Sequence, residues 1–426
     1  MKELFKKIIT DFIEFGLPEL IPRELELPLE SKKIISVIGA RRTGKTSLLL
    51  NHIKRLRAKY PSNRIVYINF EDDRLFPLEL KDLDNIIEAY FELFPSDKGE
   101  KIFFFFDEIQ NVKNWEIFIR RIYDTLNCSI FITGSSSKLL SKEISTSLRG
   151  RSISYEVFPF SFKEFLSYKE IDVNFYSSRS RSKILHAFNQ YLIDGSLPEI
   201  IELEASERGK SLKEYCDLVI YKDLVERYQI GNLHLMKYLV KFLFTNNATL
   251  SSFNKLYNDF KSLGLNVSRN SIYEYISYLE DSYSIYFTSI YSENIRIQNR
   301  NPKKVYLLDV GLKNVFTLKS DKGRNLENIV YLQLRRRNDQ IYYLLEEKEL
   351  DFYLPKEKEF RMINVCFDAS DTLTKKREIE SLSSFMDQYK ENKALLLTYD
   401  KEEVISLGAK KIYLLPVWKW LLGFED

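Results

Sequence analysis

Between the apolar run Ile34–Ile38 and a helix-like stretch from Ser47 to Lys59 stand Gly39-Ala40-Arg41-Arg42-Thr43-Gly44-Lys45-Thr46. This octet satisfies G-x-x-x-x-G-K-[ST] in the strand–loop–helix setting that a phosphate loop requires. Glycines allow a tight loop whose backbone N–H groups point inward at phosphate oxygens, and the helix starting near Lys45 adds its positive dipole end. Lys45 is expected to reach the β and γ phosphates, and Thr46 to complete one corner of a magnesium shell. By average residue usage, four fixed positions match by chance in roughly one percent of chains this long, before the flanking context is demanded. Gly39, Ala40, Arg41, Arg42, Thr43, Gly44, Lys45, Thr46 and Ser47 are therefore the expected nucleotide contacts.

A second motif strengthens the first. Ile102-Phe103-Phe104-Phe105-Phe106-Asp107-Glu108 reads as a buried strand ending in two carboxylates, the form of a Walker B segment. Alone, such a pair is more often a solvated turn; downstream of a phosphate loop, Asp107 is expected to hold magnesium and Glu108 to act as general base. An intervening strand, Ile65–Ile68, and the acid beside Asp107 favour phosphate-loop proteins with a catalytic glutamate over kinase-like relatives. The strand Ile130–Thr133 runs into Gly134-Ser135-Ser136, where Ser135 is favoured to sense the γ phosphate or hold the water; a turn or helix cap is the competing reading. Leu148-Arg149-Gly150-Arg151 precedes a fifth strand, and Arg151 is a candidate to neutralise transition-state charge, within the chain or across a subunit contact. A solvated arginine pair is its alternative.

At 426 residues the chain is long for one core, and two to four domains are expected. The 44% apolar fraction supports buried cores, and no apolar stretch approaches the roughly 18–20 residues of a membrane span. A cytoplasmic protein without membrane contact is expected. Lys plus Arg at 64 against Asp plus Glu at 61 is too balanced for nucleic-acid binding across the whole surface, so any such contact must be local. Cys128, Cys216 and Cys366 lie far apart, as do His52, His186 and His234, so neither a disulfide framework nor a histidine-centred metal site is suggested.

The pattern divides the chain into an N-terminal helix and proline-bearing arm (1–30), a mostly parallel α/β core (31–158), a helical lid (159–232), a winged-helix-like segment (233–300) and a second α/β domain (301–426). The basic run Arg300-Asn301-Pro302-Lys303-Lys304 reads as the hinge before the last domain.

Gly39–Thr46, Tyr67-Ile68-Asn69-Phe70-Glu71-Asp72, Phe106-Asp107-Glu108-Ile109-Gln110, Trp115-Glu116, Thr133-Gly134-Ser135-Ser136, Leu148-Arg149-Gly150-Arg151 and Pro159-Phe160-Ser161-Phe162-Lys163-Glu164-Phe165 together resemble the AAA+ superfamily ATPases of archaea and bacteria. The resemblance covers nearly the whole chain. It implies a P-loop NTPase sheet of AAA+/RecA-like type, a helical lid, a winged helix and a C-terminal restriction-endonuclease-like α/β domain, and it implies ATP rather than another nucleotide. A nuclease of that fold gathers a helix acid, a strand acid and an (Asp/Glu)-x-Lys pair. Glu327 and Asp351 are the candidates for the first two. The third element reads Asn364-Val365-Cys366, without acid or lysine, so cleavage is not expected and Glu349 and Asp351 are read as preserving edge geometry or salt bridges.

Arg296, Arg300, Lys303 and Lys304 beside the wing, and Arg335-Arg336-Arg337, are candidates to neutralise backbone phosphates. The helix Ser268–Glu280 carries Arg269 but also Glu274, Glu280 and several tyrosines, which suit packing as much as base contact. The expectation is a magnesium-dependent ATPase of AAA+ or switch type that passes nucleotide state to a DNA or protein partner, with homo-oligomerisation open. The alternatives are a nucleic-acid-binding regulator using ATP as a conformational lock and, less favoured, an ATP-coupled nuclease.

Overall fold

The computed structural model describes residues 1–134, 144, 146–319, 321–338 and 340–423. Two units divide the chain, Met1–Phe158 and Pro159–Asp426. The first holds α1 (Lys2–Glu14), β1 (Ile34–Ile38), α2 (Lys45–Arg57), β2 (Ile65–Asn69), α3 (Asp84–Leu93), β3 (Ile102–Asp107), α4 (Trp115–Thr125), β4 (Cys128–Thr133) and β5 (Ser152–Glu156). Its strands form one parallel sheet in the order β2-β3-β4-β1-β5.

Phenylalanines run unbroken along β3 because both faces of this central strand are covered. Side chains alternate across the sheet: Phe103 and Phe105 join the α2 side with Leu49, Ile53 and Phe131, while Phe104 and Phe106 meet Tyr90 of α3 and Phe118 of α4. β4 lies between β1 and β3, so the phosphate loop and the acidic pair end on strands one apart. The segment read as an arm is packed onto this unit. Phe5, Ile8 and Ile9 form the buried stripe of α1, Phe12 stacks on Tyr67 at 4.8 Å, and Leu27 enters the core beside Val37.

The second unit opens with α5 (Phe162–Tyr168), α6 (Ser178–Asp194), α7 (Pro198–Ile201), α8 (Ala205–Leu218), a π-helical continuation over Val219–Glu226, and α9 (Leu233–Thr245). There follow β6 (Thr249–Ser251), α10 (Phe253–Ser262), α11 (Arg269–Asp281), β7 (Ile285–Ile290), α12 (Ile295–Arg300) and β8 (Lys303–Leu307). The remainder is α13 (Lys322–Arg337), β9 (Tyr342–Leu345), β10 (Glu349–Tyr353), β11 (Met362–Cys366), α14 (Thr372–Tyr389), β12 (Lys393–Thr398), β13 (Glu403–Leu407), β14 (Lys410–Pro416) and α15 (Val417–Leu421).

The boundary read at residues 300/301 does not separate two domains. β7 pairs antiparallel with β8, from Ile285 opposite Leu307 to Thr288 opposite Lys304, and parallel with β9 at Ser289 and Tyr342. A single mixed sheet, β13-β14-β12-β11-β10-β9-β7-β8-β6, spans the two segments. Asn301-Pro302 and the basic residues around it are the connection into a paired strand, which local composition cannot distinguish from a linker. The helices read as a lid share this unit through Asp309, whose carboxylate accepts from the N–H groups of Ser196 at 2.6 Å and Gly311 at 2.8 Å. Only glycine fits at position 195, where a Cβ would stand 1.8 Å from Asp309 Oδ1.

Candidate nucleotide-binding site

Gly39 leaves β1 with φ +137°, and a Cβ there would lie 2.5 Å from the Val157 carbonyl oxygen. The loop thus passes directly against the chain following β5. Arg42 and Gly44 also take positive φ, 62° and 89°, curling the backbone before α2 begins at Lys45. Thr43 Oγ1 donates to the Ala40 carbonyl at 2.9 Å, fixing the curl. The buried Lys45 ammonium donates to the carbonyls of Ala40 at 2.8 Å and Gly39 at 3.2 Å, so it lies over the loop it would neutralise.

β3 delivers Asp107 and Glu108 beside that loop. Asp107 is 1% exposed. Tyr67 donates to its Oδ2 at 2.8 Å and Thr133 to its Oδ1, and the Thr46 hydroxyl bonds the same carboxylate. Burial raises the Asp107 carboxyl above its ordinary range, and the three hydroxyls oppose that rise by stabilising the anion. Thr46 and Asp107, read separately from two motifs, therefore meet. Glu108 takes φ +53°, turning its side chain off the strand line; its N–H donates to Thr133 Oγ1 at 3.0 Å. Gln110 Nε2 holds Glu108 Oε2 at 2.5 Å. Burial also raises Glu71, with Glu108 adding to the rise and Arg41 opposing it.

These residues fit a nucleotide and its metal. The glycines let the loop curl tightly against Val157, the ammonium is inside the loop, and a hydroxyl and a carboxylate meet as the oxygen donors magnesium takes.

Two of the expected residues stand differently. Ser135 lies outside the described residues. Arg151 lies at the opposite end of the sheet from the phosphate loop: its carbonyl accepts from Ile34 N at the start of β1, and its guanidinium pairs with Asp124 at 3.2 Å. The five residues of β1 separate it from Gly39, about 16 Å at the usual strand rise. Arg151 does not reach the phosphate site of its own chain. A segment that runs directly into a parallel strand lies at the end of the sheet opposite a loop that follows one, which is how Arg151 and the phosphate loop come apart.

Arg23 was not singled out by sequence. It reaches from the proline-bearing segment to donate to the Thr43 carbonyl at 2.8 Å and the Phe158 carbonyl at 2.7 Å. Tyr67, Thr133 and Gln110 were likewise missed as supports of the acidic pair: strand order brings in Tyr67 and Thr133, whereas Gln110 stands two residues beyond the acid it holds.

In the second unit Lys304 is 1% exposed and paired with Glu327, Glu349 and Asp351 at 2.5–3.0 Å, so it is withdrawn from any phosphate-binding patch. The cluster of acids thus does hold a lysine, supplied by β8 rather than by the Asn364-Val365-Cys366 strand. Arg336 donates to the Pro159 carbonyl at 2.5 Å. The tyrosines of α11 pack: Tyr278 stacks on Tyr228 at 3.7 Å. Among the described residues no helix is long and apolar enough to cross a membrane.

Comparison with known proteins accords with this geometry. The model of the AAA domain family matches residues 31–166, and that of a domain of unknown function (DUF8612) matches residues 185–322. An uncharacterized protein of Methanocaldococcus jannaschii is 36% identical, covering 99% of this chain and 96% of its own. An uncharacterized protein of Haemophilus influenzae is 30% identical, covering 92% and 94%. Among solved structures, the Aeropyrum pernix Orc1 protein in complex with DNA aligns at TM-score 0.31 and 14% identity over 74% of this chain and 90% of that one. With a phosphate loop and acidic strand end inside a matched AAA domain, the chain belongs to the AAA+ ATPases, in a family shared with these archaeal and bacterial proteins.

Proposed function

We propose that this protein binds ATP with magnesium at the Gly39–Ser47 loop and hydrolyses it, with Glu108 as general base. The observation that carries the reading is the meeting of Thr46, Asp107 and Glu108 beside the Lys45 ammonium at the ends of β1 and β3. Loop N–H groups and Lys45 bind the phosphates. Glu108, turned by its positive φ and held by Gln110, orients and deprotonates the attacking water. Magnesium, held by Thr46 and by Asp107 through water, would neutralise charge on the phosphate oxygens. A role for Arg151 in this chemistry requires a neighbouring copy of the chain.

Arg23 supports a route for the output. One guanidinium spans a carbonyl of the phosphate loop and the carbonyl of Phe158, the last residue of the first unit, so loop movement bears on the point from which the second unit continues. ATPase turnover of the wild type against Glu108→Gln tests the reading. The expected result is a fall of about 10²–10⁴-fold with ATP still bound; equal turnover contradicts it.

A second reading, a nucleic-acid-binding regulator with ATP as a lock, is favoured by one feature of the second unit. A polar cleft of about 590 Å³ is lined by Phe253, Asn254, Tyr273, Arg300 and Lys303. Rings beside cations suit unpaired bases and their phosphates. Salt-dependent DNA binding lost in Arg300→Ala/Lys303→Ala, with no phosphate release from the wild type, would support this reading over turnover. A cytoplasmic site of action accords with either.

A further inference from the structure

Lys304 enters the sheet on β8, and successive side chains of a strand face opposite sides, so Lys304 and Tyr306 share one face. The Lys304 ammonium lies 2.5 Å from Glu349 Oε1, 2.8 Å from Asp351 Oδ1 and 3.0 Å from Glu327 Oε1. Glu327 comes from α13; Glu349 and Asp351 come from β10, two residues apart and therefore on the same face. The cluster is finished with neutral donors. Tyr306 donates to Glu327 Oε1 at 2.8 Å, and Val365 N donates to Asp351 Oδ2 at 2.8 Å. Asn364 accepts from Asp351 N at 3.0 Å and donates to Glu378 at 2.9 Å. A cleft of about 400 Å³ lies beside the cluster, lined by Glu327, Glu349, Asp351 and Glu378 together with Lys348 and Arg377.

Three carboxylates converging on one point repel one another and need a cation between them. A divalent ion would meet that need with oxygen ligands at about 2.0–2.6 Å. An ammonium meets it too, and Lys304 donates to Glu327 and Asp351 while pairing by charge with Glu349. Burial by itself would discharge the amine, but Asp351, Glu327 and Glu349 hold it charged, well above its ordinary range. Among the described residues no group of three or more His, Cys, Asp or Glu side chains is set to hold a metal ion.

We propose that Lys304 is the resident cation of this carboxylate cage: its ammonium occupies the position a divalent metal would need, so the second unit folds without metal at this site and takes none up there. The cleft beside it then has no metal-activated water. None of these residues belongs to the first unit, so the proposal stands or falls independently of ATP hydrolysis.

Manganese binding by the full-length protein, counted by electron paramagnetic resonance without nucleotide, tests it. Wild type and Asp351→Asn are expected to bind the same number of ions; loss of one ion in Asp351→Asn overturns the proposal. Lys304→Met is expected to melt at a lower temperature, to bind one additional Mn²⁺ and to regain melting temperature as Mn²⁺ is added. A folded Lys304→Met protein that binds no additional ion also overturns it. The triple variant Lys304→Met/Glu327→Gln/Asp351→Asn, which removes the lysine together with its two hydrogen-bonded acids and leaves Glu349, is expected to melt above Lys304→Met and to ignore Mn²⁺. Should Lys304→Met not fold, the comparison of wild type with Asp351→Asn decides alone.

Discussion

Gly39 carries the tightest constraint at the phosphate loop, because its φ of +137° and the Val157 carbonyl 2.5 Å from a would-be Cβ exclude any side chain. Gly39→Ala is expected to displace the loop, abolish measurable ATP binding in equilibrium dialysis and cost on the order of 1–3 kcal/mol in urea unfolding. His52 sets a different residue-scale property. It lies on α2 between Phe105 and Phe131, 2% exposed, with no hydrogen-bond partner for either ring nitrogen. Burial, helped by Arg55, lowers its pKa to about 4. The folded state therefore takes up the proton later than the unfolded state, whose histidine titrates near 6.5. Its contribution to stability is complete above that value, falls as pH drops towards 4 and is constant below. Between pH 7 and pH 5 this one group should cost about 2 kcal/mol, and His52→Leu should remove that part of the slope in urea titrations at the two pH values.

At the scale of elements, the proline-bearing segment before β1 acts through Arg23. Arg23→Ala removes charge-assisted hydrogen bonds to the carbonyls of Thr43 and Phe158, each worth about 1.5–3 kcal/mol, and one such bond at the low end of that range is near the roughly 1.4 kcal/mol of a tenfold affinity change. ATP affinity is expected to fall by about tenfold or more, read by fluorescence titration with a labelled ATP analogue; unchanged affinity would remove Arg23 from the site. The phosphate loop and the acidic pair were legible because each is a local device, a strand followed at fixed spacing by the groups it presents. Their supports were not. Tyr67, Thr133 and Arg23 gain meaning only from the order β2-β3-β4-β1 and from where the N-terminal segment packs. β13 escaped notice because it is an edge strand with largely exposed side chains, which carries no apolar alternation.

For the whole molecule, the fold class was legible and the grouping of segments was not. Alternating apolar runs and helices announced the two α/β regions, yet the helices read as a lid, the segment read as a winged helix and the last domain form one unit with one nine-stranded sheet. Strand pairing across Pro302 and the grip of Asp309 on Ser196 and Gly311 are long-range facts that composition does not encode. Lys304 shows the same lesson in charge: read as part of a basic run, it is the buried partner of three acids. Asp309→Ala, which leaves two buried N–H groups without an acceptor, is expected to destabilise the second unit by about 2–5 kcal/mol, seen as a lower melting temperature in calorimetry. The account rests most directly on ATP held by the Gly39–Ser47 loop. Isothermal titration calorimetry with Mg²⁺ and ATP should give saturable one-site binding in the wild type and none in a Lys45→Ala protein whose circular dichroism matches the wild type; heats that are the same for both proteins would contradict it.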